Sequence, residues 1–360
     1  MVQNTQVEQV TEQPLPDNPQ LRYVSNQEKA MVQHKIARMA FVSLAFLLIF
    51  SVGAGLYWYA KNKNILQQAT NRASVTKVTV VTPEVGQISG QGSGSQEFMI
   101  NMHALPLGDG KISTSPKIGY VYSCLQGVST ATTSQNESWI DGDSWDAGEK
   151  TTVDGSVTWP NAKFDVSMVG GLRVVRGNEL PVTATTGTFP ISSDDPAYQF
   201  DHNPNSIKLQ ALSLSLPADP QLGQPMCLPE GMIGIALNGV PIFSAIDNKG
   251  QDSVAHEMLD SCNGHPDSSG VYHYHGPSSC IPGSDKSDTL VGYALDGFGI
   301  YSHVDASGNE IKNSDLDECH GTTSEITWDG KKAVMYHYVM TQEFPYTIGC
   351  FRGSKVAHVQ

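Results

Sequence analysis

The sequence predicts a mainly β (β-rich α+β) ectodomain with an internal two-copy repeat, preceded by a single transmembrane helix. Three observations carry that expectation. Charged residues are sparse (16%), while Gly (34) and Pro (20) are frequent. That balance suits strands and loops better than long helices. A stretch of 22 residues, 39–60, holds no charge and is bracketed by Arg38 and Lys61. Finally, a segment after residue 230 occurs twice.

Taken in order, residues 1–37 are polar and have too few large apolar groups for a core, so a disordered tail is expected. Residues 38–60 read as an uncleaved signal anchor. At about 1.5 Å per residue the apolar stretch crosses the roughly 30 Å hydrocarbon core. Tyr57, Trp58 and Tyr59 stand at its C-terminal end, where amphipathic rings favour the interface. Residues 61–97 form a stalk, with a Val/Thr-alternating strand at 74–83 and a flexible Gly/Ser/Gln run after it. Residues 98–230 form a β-rich part with short runs at 98–100, 118–122, 151–159, 164–168 and 172–175. The alternation at 207–216 is the cleanest half-buried strand. Asp141-Gly142-Asp143-Ser144-Trp145-Asp146 does not fit a calcium loop and reads as a solvated turn. Asn136-Glu137-Ser138 has the form of a glycosylation sequon.

The duplicated core spans 231–353, copy one 231–289 and copy two 290–353. Met232 to Ser244 aligns with Leu290 to Ser302, Leu259-Asp260-Ser261-Cys262 with Leu316-Asp317-Glu318-Cys319, and Tyr272-His273-Tyr274 with Tyr336-His337-Tyr338. Each copy predicts an apolar strand, a turn, a second strand, an Asp-x-x-Gly hairpin turn and a later Tyr-His-Tyr strand. In copy one, Asp252 is placed to cap a short helix running through Asp260. Two copies are too few for a solenoid, so face-to-face packing of the halves is expected. Gly at 234, 239, 292, 297 and 299 suggests close backbone approach between them.

Six cysteines (Cys124, Cys227, Cys262, Cys280, Cys319, Cys350) all follow the apolar stretch. An even count on one side of a membrane segment reads as three disulfides in an oxidising compartment, among fifteen possible pairings. The repeat favours Cys262–Cys280 and Cys319–Cys350, leaving Cys124–Cys227. The rival reading, cysteine metal ligands, lacks a C-x-x-C pair. The expected location is therefore a single-pass membrane protein with its N-terminus cytoplasmic and its C-terminal domain extracytoplasmic. Residues 1–78 hold eight basic and four acidic side chains, net +4; the rest hold fourteen and thirty-two, net −18. Such an acidic ectodomain argues against a nucleic-acid partner, because phosphate binding needs a basic face.

The chemistry concentrates in copy one. His256, His265, His273 and His275 fall within about two dozen residues. On a strand, the alternation Tyr272-His273-Tyr274-His275 puts both imidazoles on one face, roughly 7 Å apart at the backbone. These four histidines are the candidate metal ligands. Glu257, Asp260, His320 and His337 are candidate residues around them, able to orient an imidazole or supply a carboxylate. Zinc or copper suits such a set, and imidazole also accepts iron. Copy two departs from the pattern: Val339 replaces the second histidine, and His320 stands where copy one has Asn263. His320 and His337 were therefore expected to face copy one across a pseudo-twofold. The competing reading is that the histidines and tyrosines only stack and hydrogen-bond in a disulfide-braced core. In that reading, Asp260 to Gly264 is turn chemistry with Gly264 easing a left-handed residue.

These motifs resemble the YHYH domain family. The resemblance runs over roughly residues 117–353. It rests on Ala236-Leu237-Asn238-Gly239-Val240, Leu259 to His265, Tyr272 to His275, the Gly292 to Tyr301 run, Leu316 to Cys319 and the Phe344 to Gly353 run, with Asn203-Pro204-Asn205 upstream. It implies a YHYH domain and no particular reaction. The sequence contains no Gly-x-Ser-x-Gly, no His-Glu-x-x-His and no phosphate-cradling loop, which leaves catalysis open. The expected function is a membrane-anchored extracytoplasmic module that binds a metal ion or a cell-envelope or surface ligand. The alternative is a metal-dependent extracytoplasmic enzyme, a hydrolase ahead of an oxidase, with Glu257 or Asp260 as base.

Overall fold

The computed structural model describes residues 100–125, 137–354 and 356–357. The tail 1–37, the apolar span 38–60, the stalk 61–97 with its strand at 74–83, residues 98–99 and Asn136 of the sequon lie outside the described residues. Among the described residues, no helix is long and apolar enough to cross a membrane.

Mainly β structure is present, with one α-helical turn and two short 3-10 turns among the described residues. The centre is an eight-stranded sheet drawn wholly from the duplicated segment. Copy one supplies β1 (Met232–Ala236), β2 (Pro241–Phe243), β3 (Gly264–Pro266) and β4 (Tyr272–Tyr274). Copy two supplies β5 (Leu290–Ala294), β6 (Gly299–Tyr301), β7 (Gly321–Trp328) and β8 (Lys331–Val339). The spatial order is β3-β4-β2-β1-β5-β6-β8-β7. From the middle outward, both copies therefore run first strand, second strand, Tyr-His-Tyr strand, edge strand.

The halves do not pack face to face as the sequence suggested. They join edge to edge through β1 and β5, in register Gly234↔Ala294, Ile235↔Tyr293 and Ala236↔Gly292. Ile235 and Tyr293 are equivalent positions of the two copies, so the pseudo-twofold passes through that pair. The cause lies in the strand composition. Every residue of β1 is buried, and a strand covered on both faces still has backbone donors and acceptors along its edge that need partners. Each copy satisfies the other's edge. Gly234 and Gly292 are required at this seam: a Cβ would lie 2.9 Å from the Tyr293 carbonyl or 2.8 Å from the Ile235 carbonyl. Gly239 and Gly297 are not at the seam. They occupy positive-φ turn positions and touch Phe164 and Pro217.

Those two residues belong to the outer strands of a three-stranded antiparallel sheet, Phe164–Val169, Leu172–Gly177 and Leu212–Pro217. The alternation expected at 207–216 is a strand only from Leu212, where buried and exposed positions alternate. The run 151–159 forms only isolated bridges, at Val153 and Val157. The Asp141–Asp146 stretch is a tight hairpin pairing Ile140 with Trp145 and Asp141 with Ser144. The Asp-x-x-Gly turns form as expected, with Asp247 accepting from the Lys249 and Gln251 amides and Asp305 from those of Ser307 and Asn309.

The disulfides are Cys124–Cys227, Cys262–Cys280 and Cys319–Cys350, one bridge inside each copy and one upstream. The helix of copy one, α1 (Ser253–His256), is capped by the Asp252 carboxylate as expected but is a single turn. It does not reach Asp260, because Glu257 is already extended (φ −80°, ψ 143°).

Candidate metal centre

The edge hairpin of copy one builds the site. β3 and β4 pair antiparallel with His265 directly opposite His273, and His275 follows two residues on. Period 2 brings His273 and His275 to one side of the strand, and the pairing adds His265 from the neighbour. The three rings are buried, and one ligating nitrogen from each lies within 4.8 Å of the others. The His275 Nε2 is 3.0 Å from that of His273 and 3.3 Å from that of His265. Glu257, released from the end of α1, places Oε2 at 3.1 Å from the His275 Nε2 and 3.3 Å from the His265 Nε2. Four ligands at about 2.0–2.1 Å around a tetrahedral ion stand about 3.3–3.4 Å apart. The measured separations are close to that edge length.

The backbone fixes the protonation of two rings. The Nδ1 of His273 donates to the Val271 carbonyl (2.9 Å), and that of His275 to the Ser244 carbonyl (2.5 Å). A carbonyl only accepts, so both Nδ1 atoms carry hydrogens, and in the neutral rings both Nε2 atoms are lone pairs. Two buried lone pairs then face each other at 3.0 Å, an arrangement relieved by a positive charge between them. Nδ1–H groups tied to carbonyls are also the usual way a protein orients metal-binding imidazoles. The Glu257 Oε2, though close to two imidazoles, is buried without a properly directed donor, and the His265 Nδ1 has no partner among the described residues. This donor set fits a cation better than it fits a closed hydrogen-bond network.

Residues 213–313 match the family model described as YHYH protein. The chain carries a YHYH domain. No curated protein and no solved structure matches the chain.

The YHYH domain does not use every residue that the sequence singled out. His256 stands apart from the cluster: its Nδ1 meets Glu137 at 3.2 Å and its Nε2 meets Asp109 at 3.1 Å. Burial opposes its protonation, but these two carboxylates outweigh that and lift its pKa to about 9. Asp260 orients no imidazole. It accepts from the Tyr272 hydroxyl (2.8 Å) and from the amides of Gly187, Cys262 and Gly264 (2.7, 2.9 and 3.1 Å). The turn it organises holds Asn263, not Gly264, in the left-handed region (φ 58°). Gly264 is needed for space, since a Cβ there would lie 2.4 Å from the Tyr272 ring.

His320 and His337 do not reach across to copy one. The His320 Nε2 meets Thr341 Oγ1 at 2.9 Å, and the His337 Nδ1 donates to the Met335 carbonyl at 3.2 Å. Copy two repeats the scaffold without the cluster. Tyr336 bonds Asp317 as Tyr272 bonds Asp260. The ring of Tyr301 lies against His337 as that of Phe243 stacks on His273. Opposite His337, however, stands Thr322, and Val339 occupies the place of His275.

Glu257 comes closer than a surrounding role required, at ligand distance. Burial would raise its pKa, but the imidazoles of His265 and His275 hold it well below the ordinary carboxylate range. Burial together with the neighbouring imidazoles of His265 and His275 keeps His273 neutral. Sequence reasoning missed several supports. Lys150 donates to the carbonyls of Val254 and Glu257, both at 2.6 Å, and so fixes the end of α1. Phe243 stacks on His273 with ring centroids 3.9 Å apart. Asn203 and Asn205 both donate to the Pro266 carbonyl next to His265. The only signal for that pair was the Asn-Pro-Asn spelling. The cluster lines a cleft of about 730 Å³ whose rim carries Asp201, Glu230, Asp247 and Asp267, with no Lys or Arg among its described lining.

Proposed function

We propose that the YHYH domain is an extracytoplasmic metal-binding module, in which His265, His273 and His275 with Glu257 hold a zinc or copper ion. The observation that carries this reading is the pair of Nε2 lone pairs held 3.0 Å apart by two Nδ1–carbonyl hydrogen bonds. A buried array of that kind needs a positive charge at its centre, and a carboxylate already stands there. Placement outside the cytoplasm, behind a single-pass anchor at 38–60, is supported by the three disulfides, which persist in oxidising compartments. The acidic cleft suits a cationic rather than an anionic ligand.

A second reading, a metal-dependent hydrolase, is favoured by the opening of the cluster into that cleft. A bound ion would supply Lewis acidity there. Glu257 would then act as general base and not as fourth ligand.

Metal analysis of the purified protein with its disulfides intact tests both. Close to one zinc or copper per chain is expected in the parent, none in His273→Ala/His275→Ala, and an unchanged content in His337→Ala of copy two. No metal in the parent after incubation with either ion overturns the proposal. Glu257→Gln separates the two readings. Loss of the ion marks a ligand, whereas retained ion with lost hydrolysis of ester or amide test substrates marks a base.

A further inference from the structure

A second cavity lies on the other side of Phe243. It measures about 790 Å³, within the range of small-molecule sites. Its walls are apolar and aromatic: Tyr122, Met226, Phe243, Leu295 and Phe351. Into this cavity faces Glu179, 94% withdrawn from solvent (6% exposed). Its carboxyl has no hydrogen bond or ion pair among the described residues. Its backbone is held at φ 60°, a conformation uncommon for a side chain of this size and a mark of positions that the surrounding structure constrains. The one other charged group in the described lining is Glu230; no Lys or Arg is present.

We propose that this cavity is a binding site for a small apolar organic cation, a primary ammonium on an alkyl or aryl body, whose ammonium group pairs with Glu179. The chemistry selects that class. A buried carboxylate without a partner is costly, and a cation that brings its own apolar surface offsets that cost while filling the walls. Tyr122, Phe243 and Phe351 add ring faces that attract an ammonium. A carboxylate or phosphate ligand would meet two acidic groups and no basic one. A bare divalent ion prefers six or more oxygen ligands, and the walls are mostly carbon. The buried setting, with Asp267 adding repulsion, raises the Glu179 pKa to about 7, so the pocket pays for its charge until a cation arrives. The site does not depend on the histidine cluster holding an ion.

Calorimetric titration of the purified, oxidised protein at pH 8 with three isosteres tests this: n-hexylammonium, hexan-1-ol and hexanoate. The ammonium is expected to bind at least tenfold more tightly than the alcohol, and hexanoate not measurably. Glu179→Gln is expected to weaken the ammonium tenfold or more while shifting the alcohol less than twofold. Leu295→Trp, which fills the cavity, is expected to abolish both. Equal affinity for ammonium and alcohol overturns the proposal on the unmodified protein alone. So does an unchanged ammonium affinity in Glu179→Gln, which would place the cation in the acidic cleft of the histidines. Absence of binding by all three isosteres overturns it as well.

Discussion

His275→Val replaces a candidate ligand with the residue that copy two carries at Val339. In the metal-free protein the change has opposing effects. It deletes one of two lone pairs facing each other at 3.0 Å and leaves the Ser244 carbonyl without its imidazole donor. A lost hydrogen bond of that kind costs about 1–3 kcal/mol, and relief of the lone-pair contact offsets part of it. Net metal-free stability should therefore move by no more than about 1–2 kcal/mol. The metal-loaded proteins should differ far more. Zinc at a hundred times its Kd stabilises the parent by about 2.7 kcal/mol, or roughly 5–10 °C in Tm for a domain of this size. If about 10–16 kcal/mol of binding energy is shared over four ligands, losing one weakens affinity by about 10²–10³. At the same zinc concentration the variant then gains less than about 0.5 kcal/mol. Thermal unfolding followed by circular dichroism, in chelator and then in zinc, reads both numbers. A parent whose Tm ignores zinc and copper, or a variant that rises as much as the parent, would refute the assignment of His275.

The other expectations follow from the scaffold. Gly234→Ala or Gly292→Ala forces a Cβ to within 2.9 or 2.8 Å of the opposing carbonyl and should destabilise by about 1–3 kcal/mol in urea unfolding. Tyr272→Phe removes the hydroxyl donor from Asp260 and should cost about 1.5–3 kcal/mol with metal content unchanged, since the tyrosines lie on the face away from the histidines. For Glu179 the folded-state pKa of about 7 stands above the ordinary 4.5. Below pH 4.5 the carboxyl is protonated in both states and contributes nothing. Between pH 4.5 and 7 the unfolded chain ionises first, so stability falls as pH rises, by up to about 3 kcal/mol. Glu179→Gln should flatten that part of the pH–stability curve, and an unchanged curve would show that the carboxyl is solvated. Thr322→His/Val339→His should raise the metal content above that of the parent, because His337 is already oriented by the Met335 carbonyl.

Much of this was legible because it was local. The two-copy repeat, the disulfide pairs and the Asp-x-x-Gly turns each depend on a few neighbouring residues, and all appear as read. Period 2 along a strand sufficed to bring His273 and His275 together. What could not be read was set by chain segments far apart in sequence. His256 looks like a fourth ligand by proximity, but Asp109 and Glu137, more than a hundred residues upstream, capture it. Nothing in the spacing reveals that Glu257 leaves the helix just as the chain turns toward the histidines. Lys150, Asn203 and Asn205 reach the site from other parts of the domain in the same way. The edge-to-edge junction was missed because an all-apolar strand signals burial on both faces without saying which edge it pairs.

Copy two separates scaffold from site within a single chain. Asp317, Tyr336, His337 and the Cys319–Cys350 bridge reproduce the contacts of Asp260, Tyr272, His273 and Cys262–Cys280. These residues are therefore what the strand pair needs in order to fold. His337 shows that the first histidine of the motif, its Nδ1 tied to a carbonyl two residues back, is compatible with a site that holds nothing. The residues present only in copy one, His265, His275 and Glu257, are the ones whose ligating atoms converge. The Tyr-His-Tyr spelling is thus mainly architectural. The distinguishing signal is the final histidine together with a histidine on the neighbouring edge strand and an acidic residue at the end of α1. A chain that kept Tyr-His-Tyr but lost those three would be expected to fold as this one does and to lack the cluster.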